Sequence, residues 1–226
     1  MAQLATTQSD VIARNIAGAL DAARPTERPF RHWLLADVLP PDVRDAIVAL
    51  PVAAATIHDT GGRRETNNDS RVHFGTDNRR RFAVCDRLAH ALQDGPAVAA
   101  IERACGIDLA GSSLRIEYCQ DRDGFWLEPH TDIGVKRLTL LVYLSDDPGG
   151  ADWGTDLMDE YWFPAGRAPF AANRGLMFVP GVNSWHGFRR RPIQGVRRSI
   201  IVNYVGPEWR ARHELAFPEH PVGASP

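Results

Sequence analysis

Residues 197–205 read RRSIIVNYV, and three earlier stretches share their character: SLRIEYC at 113–119, KRLTLLVYLS at 136–145 and GLMFVP at 175–180. Each is short, rich in β-branched and aromatic residues, and bounded by Gly, Pro or Asp, which marks strands rather than helices. From residue 112 onward the apolar period is 2. Short strands at this spacing build a sandwich or barrel.

Towards the N terminus the period lengthens to 3.6. Ser9 is placed to cap a helix whose apolar face is Ile12, Ile16, Ala19 and Leu20. Pro40 and Pro41 open a second helix, DVRDAIVAL, and Pro51 closes it. A third runs over roughly 81–93, with Phe82, Cys85, Leu88 and Leu92 inward. Pro96 starts a fourth, with Val98, Ile101 and Cys105 on one face and Gly106 as its stop. Between the second and third lies HDTGGRRETNNDSRVHFGTDNRRR (58–81), polar and far longer than an ordinary connection. Two readings of it stay open: disorder, or a loop that covers a substrate. Helices followed by strands imply an α+β fold with a mainly β core. The expected organisation is one domain over 1–226: helical support to 110, a strand-rich core over 111–206 and a tail over 207–226.

The charge balance narrows the partners. Lys and Arg number 26 against 28 Asp and Glu, a formal net charge of −2. Such a chain lacks the overall attraction to phosphate of nucleic-acid binders, so no nucleic acid is expected. Hydrophobic residues make up 44%, enough for a packed core. Cys85, Cys105 and Cys119 are too few and too unevenly spaced for a disulfide framework or a cysteine zinc site. No apolar run approaches the roughly 18 residues of a membrane span. The first residues, MAQLATTQSDVIAR, lack the basic and apolar regions of a signal peptide. These readings lead to an expectation of a cytoplasmic protein with no membrane partner.

Within the strand-rich half, EPHTDIG (128–134) separates His130 and Asp132 by one residue. On extended backbone such residues project to one face, so an imidazole and a carboxylate can hold one ion together. His186, in FVPGVNSWHGF (178–188), follows a strand and supplies a third ligand. Two histidines and one carboxylate form the facial triad of non-haem Fe(II) sites, with positions left open for other ligands.

Period 2 also puts Arg198, Ile200, Val202 and Tyr204 on one face of the last strand. A guanidinium pointing into an apolar barrel requires an anion, and a planar carboxylate suits it best. Tyr143, sharing a face with Thr139 and Leu141, adds a hydroxyl. Together these residues form an anchor for a dicarboxylic cosubstrate. Arg197 takes the role of Arg198 if the register slips by one.

The chain resembles the Fe(II)/2-oxoglutarate-dependent dioxygenases, most of all their prolyl-hydroxylase-like branch. The pattern H-x-D, some fifty residues, His, then some ten residues and a basic residue is met by His130, Asp132, His186 and Arg198. RIEYCQDRDGFWLEPHTD (115–132) is similar to the family's Tyr-turn-His-x-Asp stretch, and RLTLLVYLSDD (137–147) to the strand whose tyrosine touches 2-oxoglutarate. PFRHWLLADVLPPDVRDAIVALP (29–51) resembles the strand and helix that precede the core. The resemblance implies a double-stranded β-helix, or jelly roll, of eight core strands buttressed by helices. It implies Fe(II) on His130, Asp132 and His186, with 2-oxoglutarate and O2 as cosubstrates. Arg198, Tyr143, Tyr118 and Thr139 would hold the 2-oxoglutarate.

The activity implied is hydroxylation of an unactivated C–H, with 2-oxoglutarate converted to succinate. The presence of Asp132 favours hydroxylation over halogenation. One departure from the family is the aromatic and acidic insert GGADWGTDLMDEYWFPAGRAPFAAN (149–173), whose Trp153, Tyr161 and Trp162 line a substrate mouth or cover the barrel. Substrate contacts are expected from Trp126, Arg71, Trp153 and Trp185. Arg115 and Glu117 alternate with Tyr118, and so should lie outside the pocket. The expected partner is a small amino-acid-like metabolite. The alternatives are a peptidyl residue, a non-catalytic jelly-roll binding module, or a cupin-type metalloenzyme without 2-oxoglutarate.

Overall fold

A computed structural model describes residues 2–57, 60–63 and 71–223. Helix α1 (Ala2–Ala22) buries Ile12, Ile16 and Leu20 along one stripe. It begins before Ser9, so that residue lies within the helix and does not cap it. Helix α2 (Pro41–Val48) starts at its proline and turns Val43 and Ile47 inward. The expected third helix is α4 (Ala83–Gln93), beginning two residues late because Phe82, in extended backbone at φ −126°, separates it from a short helix α3 (Thr76–Arg81) in the polar segment. Helix α5 (Pro96–Cys105) stops at Gly106, whose φ of 68° is open to glycine at little cost. Among the described residues, no helix is long and apolar enough to cross a membrane.

Strands β1 (Pro25–Thr26), β2 (His32–Leu35), β3 (Arg71–His73), β4 (Ser113–Asp121), β6 (Lys136–Tyr143), β9 (Gly175–Phe178) and β11 (Arg197–Val205) form one sheet, in the order β1-β2-β9-β6-β11-β4-β3. A second sheet contains β5 (Leu127–His130), β10 (His186–Phe188), β7 (Asp156–Met158) and β8 (Pro164–Arg167), in the order β5-β10-β7-β8. Every pairing is antiparallel. The expected α+β, jelly-roll architecture is therefore seen as two antiparallel sheets with helices on one side.

Two apolar clusters show which side chains face where. One joins the helices to the larger sheet through Ile116, Tyr118, Leu140, Val142, Ile200, Val202 and Tyr204. The other joins the two sheets through Leu141, Tyr143, Phe178 and Ile201 on one side and Leu157 and Phe188 on the other. The larger sheet thus has a helix face and an inner face, and alternate residues of each strand go to each.

The long polar segment is partly regular. It contains β3, which pairs with β4, and then α3. Residues 58–59 and 64–70 of it lie outside the described residues. The insert at 149–173 forms the β7–β8 hairpin at the edge of the smaller sheet. Trp153 belongs to the inter-sheet core at 1% exposure, and its Nε1 donates to Pro192 O at 3.1 Å. Its ring thus packs in the core as cover for the barrel, the second of the two roles open to the insert's aromatic residues, and not at an exposed mouth.

Candidate metal centre

Strands β5 and β10 pair so that His130 and His186 stand opposite each other, their ring centroids 4.2 Å apart. Each ring is oriented by its own backbone. His130 Nδ1 lies 2.9 Å from Glu128 O, and His186 Nδ1 lies 2.9 Å from Ser184 O. A carbonyl only accepts, so each Nδ1 donates, and each Nε2 is the nitrogen turned towards the carboxylate and available to a metal.

Asp132 arrives differently from the expectation of a shared extended strand. Strand β5 ends at His130, and Asp132 sits in the following turn with φ 61°, a left-handed conformation uncommon for a residue with a side chain. The turn folds its carboxylate back between the imidazoles. Oδ1 lies 3.5 Å from His130 Nε2, and Oδ2 lies 3.8 Å from His186 Nε2. One ligand atom from each of the three residues lies within 4.8 Å of the others. The carboxylate accepts from Lys136 Nζ at 2.7 Å and from the Thr139 hydroxyl at 3.0 Å. Two imidazole nitrogens and one carboxylate on one side of a point fit a divalent ion such as Fe(II), and a cleft lies against them.

That cleft, of about 410 Å³, is lined by Gly62, Arg63, Leu127, Glu128, His130, Asp132 and Lys136. One wall belongs to the polar segment. Glu128 N donates to Gly62 O at 2.9 Å, Trp126 N donates to Thr60 Oγ1 at 3.2 Å, and the Thr60 hydroxyl donates to Trp126 O. Residues 60–63 are thus strapped along the edge of β5. Gly62 has to be glycine: its φ is 72°, and a Cβ there would come within 2.6 Å of the Trp126 ring.

Beside His186 lies a small space of about 30 Å³, lined by Arg71, Asp121, Thr139, Thr155, His186 and Arg197 among others. Here the structure corrects the arginine. The register pairs Ser199 with Tyr143 and Ile201 with Leu141, so the odd-numbered residues of β11 share the inner face with Tyr143. Arg198 keeps company with Ile200, Val202 and Tyr204, as expected, but that face looks at the helices. Arg197 is the guanidinium inside. Its Nη1 donates to Asp121 Oδ2 at 2.6 Å and its Nε to Trp153 O at 2.7 Å, and it lies 5.6 Å from the Tyr143 ring centroid.

Tyr143 is on the expected face, and its hydroxyl donates to Thr155 Oγ1 at 2.8 Å while accepting from Thr155 N at 3.0 Å. Tyr118 is on the helix face, away from this space. Burial raises its phenol above the ordinary tyrosine range, opposed by the Arg198 guanidinium beside it. Arg115 and Glu117, expected outside, are buried on the inner face and paired at 2.7 Å.

The expected substrate contacts scatter. Arg71 is an interior residue, its Nη2 3.3 Å from Asp121 Oδ1, so one buried carboxylate is held between two guanidinium groups. Trp126 braces the strap from behind, with Arg190 stacked 5.1 Å from its centroid. Trp185 follows the alternation to the side opposite His186 and packs on Trp162 at 5.3 Å. Sequence reasoning missed Asp121, Lys136, Glu128 and Arg63. Asp121 had a signal, since it ends the strand whose alternate residues include the charged Arg115 and Glu117.

No protein-family model matches the sequence, and none of the curated proteins does. Solved structures do match. A prolyl hydroxylase from Trichoplax adhaerens, in complex with a hypoxia inducible factor peptide fragment, superposes with a TM-score of 0.57 at 14% identity, over 88% of this chain and 91% of that one. A prolyl-4-hydroxylase from Pseudomonas putida gives 0.53 at 16% identity, over 86% and 94%. The chain has the fold of the Fe(II)/2-oxoglutarate-dependent oxygenases. HygX from Streptomyces hygroscopicus, solved with nickel, 2-oxoglutarate and hygromycin B bound, superposes with a TM-score of 0.50 at 14% identity, over 79% and 84%.

Proposed function

We propose that the protein is an Fe(II)- and 2-oxoglutarate-dependent oxygenase that hydroxylates an unactivated C–H of a small, amino-acid-like metabolite. The observation that carries the reading is the convergence of His130, Asp132 and His186 beside an interior space lined by Arg197 and by Thr155, the hydrogen-bond partner of Tyr143. The bound iron would supply the redox chemistry, with 2-oxoglutarate oxidised to succinate and CO2 as O2 is reduced. The chain supplies geometry. The Glu128 and Ser184 carbonyls fix the two imidazoles, and Thr139 and Lys136 hold the carboxylate. Arg197 and Arg71 share the one carboxylate of Asp121, so this trio carries one positive charge in excess, which suits the far carboxylate of a dicarboxylic acid. Apolar walls at Leu141, Phe188 and Ile201 keep water from that pairing.

The substrate side is supported by the cleft. Its volume of about 410 Å³ suits a small molecule, and its lining brings together the acids Glu128 and Asp132 and the bases Arg63 and Lys136, the last of them paired with Asp132. That mixture complements an ammonium and a carboxylate on one ligand. HygX, of the same fold, was solved with a small molecule bound. The test is succinate formation from 2-oxoglutarate with Fe(II), across a panel of amino acids, their derivatives and proline-containing peptides. Stimulation above the uncoupled background by a free amino acid supports the reading, and its abolition by His130→Ala or Asp132→Ala ties it to the metal. Stimulation by peptides alone overturns the metabolite reading. Failure to consume 2-oxoglutarate or to bind Fe(II), Mn(II) or Co(II) overturns the whole.

A further inference from the structure

We propose that Thr139 and Asn203 are positioning residues for the metal-binding carboxylate, the last links of a directional hydrogen-bond chain running from Arg115 through Asn203 and Thr139 to Asp132. The inference rests on the metal centre proposed above. Asn203 and Thr139 are register partners on the inner face, one step from the apolar pair Ile201 and Leu141. They are buried at 0% and 1% exposure, where a polar pair is costly unless every donor and acceptor is used.

All are used, and in one direction. Asn203 Oδ1 accepts from Arg115 Nη1 at 3.3 Å, and Nδ2 donates to Leu138 O at 3.3 Å. A guanidinium only donates and a carbonyl only accepts, so both ends independently fix which way the amide faces. Nδ2 must then donate to Thr139 Oγ1, 3.0 Å away. With that hydroxyl already receiving a proton, its own hydrogen is directed at Asp132 Oδ2, also 3.0 Å away. The far end does not move freely either: Arg115 is clamped by Glu117 at 2.7 Å and Glu214 at 2.6 Å.

The chain answers a need of this particular ligand. His130 and His186 are fixed by strands, whereas Asp132 hangs in a left-handed turn and requires a side-chain tether to point between them. Thr139 holds Oδ2 from the interior. Oδ1 is left on the cleft side, towards His130 and Lys136. Orienting partners of this kind set the affinity of a metal site.

Mn(II) binding to the full chain, read from the free-ion electron paramagnetic resonance signal, tests this without turnover. Thr139→Val should weaken Mn(II) by about ten- to a hundredfold, while Thr139→Ser, which restores the hydroxyl, should stay within about threefold. Asn203→Leu should weaken it less, and should add nothing in the Thr139→Val background, because the two act in series. Thr139→Val binding like wild type, or an Asn203→Leu effect undiminished in that background, overturns the proposal. A wild-type chain that binds no Mn(II) overturns the metal centre and this inference with it, so the two failures are told apart.

Discussion

Replacing Arg197 with glutamine, and separately Arg198, decides which face of β11 meets the cosubstrate. Arg197 is a buried cation with two donors on Asp121 and Trp153. If its remaining donors meet the far carboxylate of 2-oxoglutarate, truncation removes a charge-assisted contact worth about 1.5–3 kcal/mol. At about 1.4 kcal/mol per decade, that weakens binding by roughly ten- to 150-fold. The fold should survive the change. Asp121 keeps Arg71 at 3.3 Å, so the loss stays below the about 3–5 kcal/mol expected when a buried charge is stranded. Arg198→Gln perturbs only the helix face near Tyr118 and should leave 2-oxoglutarate binding unchanged. Asp121→Asn goes the other way: two guanidinium groups lose their shared carboxylate, so melting falls while the anion binds no more weakly. Equilibrium binding of radiolabelled 2-oxoglutarate to the Mn(II)-loaded chain reads all three without knowledge of the substrate. Equal losses in the two arginine variants, or a loss in Arg198→Gln alone, would refute the assignment of faces.

Gly62→Ala must place a Cβ against Trp126 in a left-handed backbone, at a cost of about 1–3 kcal/mol; a lowered melting temperature is expected, and an unchanged one would mean that the strap does not bind as described. Burial of Cys85 and partial burial of Cys105 push both thiols up to about 12, so at pH 8 the native chain should alkylate at these positions far more slowly than the urea-unfolded chain, and comparable rates would contradict that shielding. His73 is held below its ordinary value, first by burial and then by Arg115. The unfolded imidazole gains its proton near pH 6.5 while the folded one resists, so stability should fall as pH drops below about 6.5. His73→Gln should flatten that part of the curve of melting temperature against pH, and an unaltered slope would assign it to other groups.

What the sequence conveys about this fold follows from the range of each interaction. The helices of the first hundred residues were legible because their faces repeat locally: Ile12, Ile16 and Leu20 are buried as the period demands. The long strands were legible for the same reason. The 2-His-1-carboxylate set was legible because H-x-D with a distant histidine is a rare combination of residue types, although Asp132 reaches the site through a turn and not along a strand. Three-residue strands such as β7 and β10 hold too few residues to display a period, and the smaller sheet went largely unread.

The arginine shows where local reading stops. Period 2 separates Arg197 from Arg198 and groups Tyr143 with Thr139, but it does not say which group of β11 lies beside which group of β6. Only the register does, and the register is set by contacts between residues far apart in the chain. A slip of one residue would reverse the assignment for every side chain of β11 at once. It would bring Ile200 and Val202 to the inner face and carry Asn203 away from Thr139. The same pairing that puts Arg197 beside Tyr143 therefore also puts Asn203 beside Thr139. The proposed cosubstrate anchor and the proposed tether on Asp132 are two consequences of one register, and an observation that moved one of them would have to move the other.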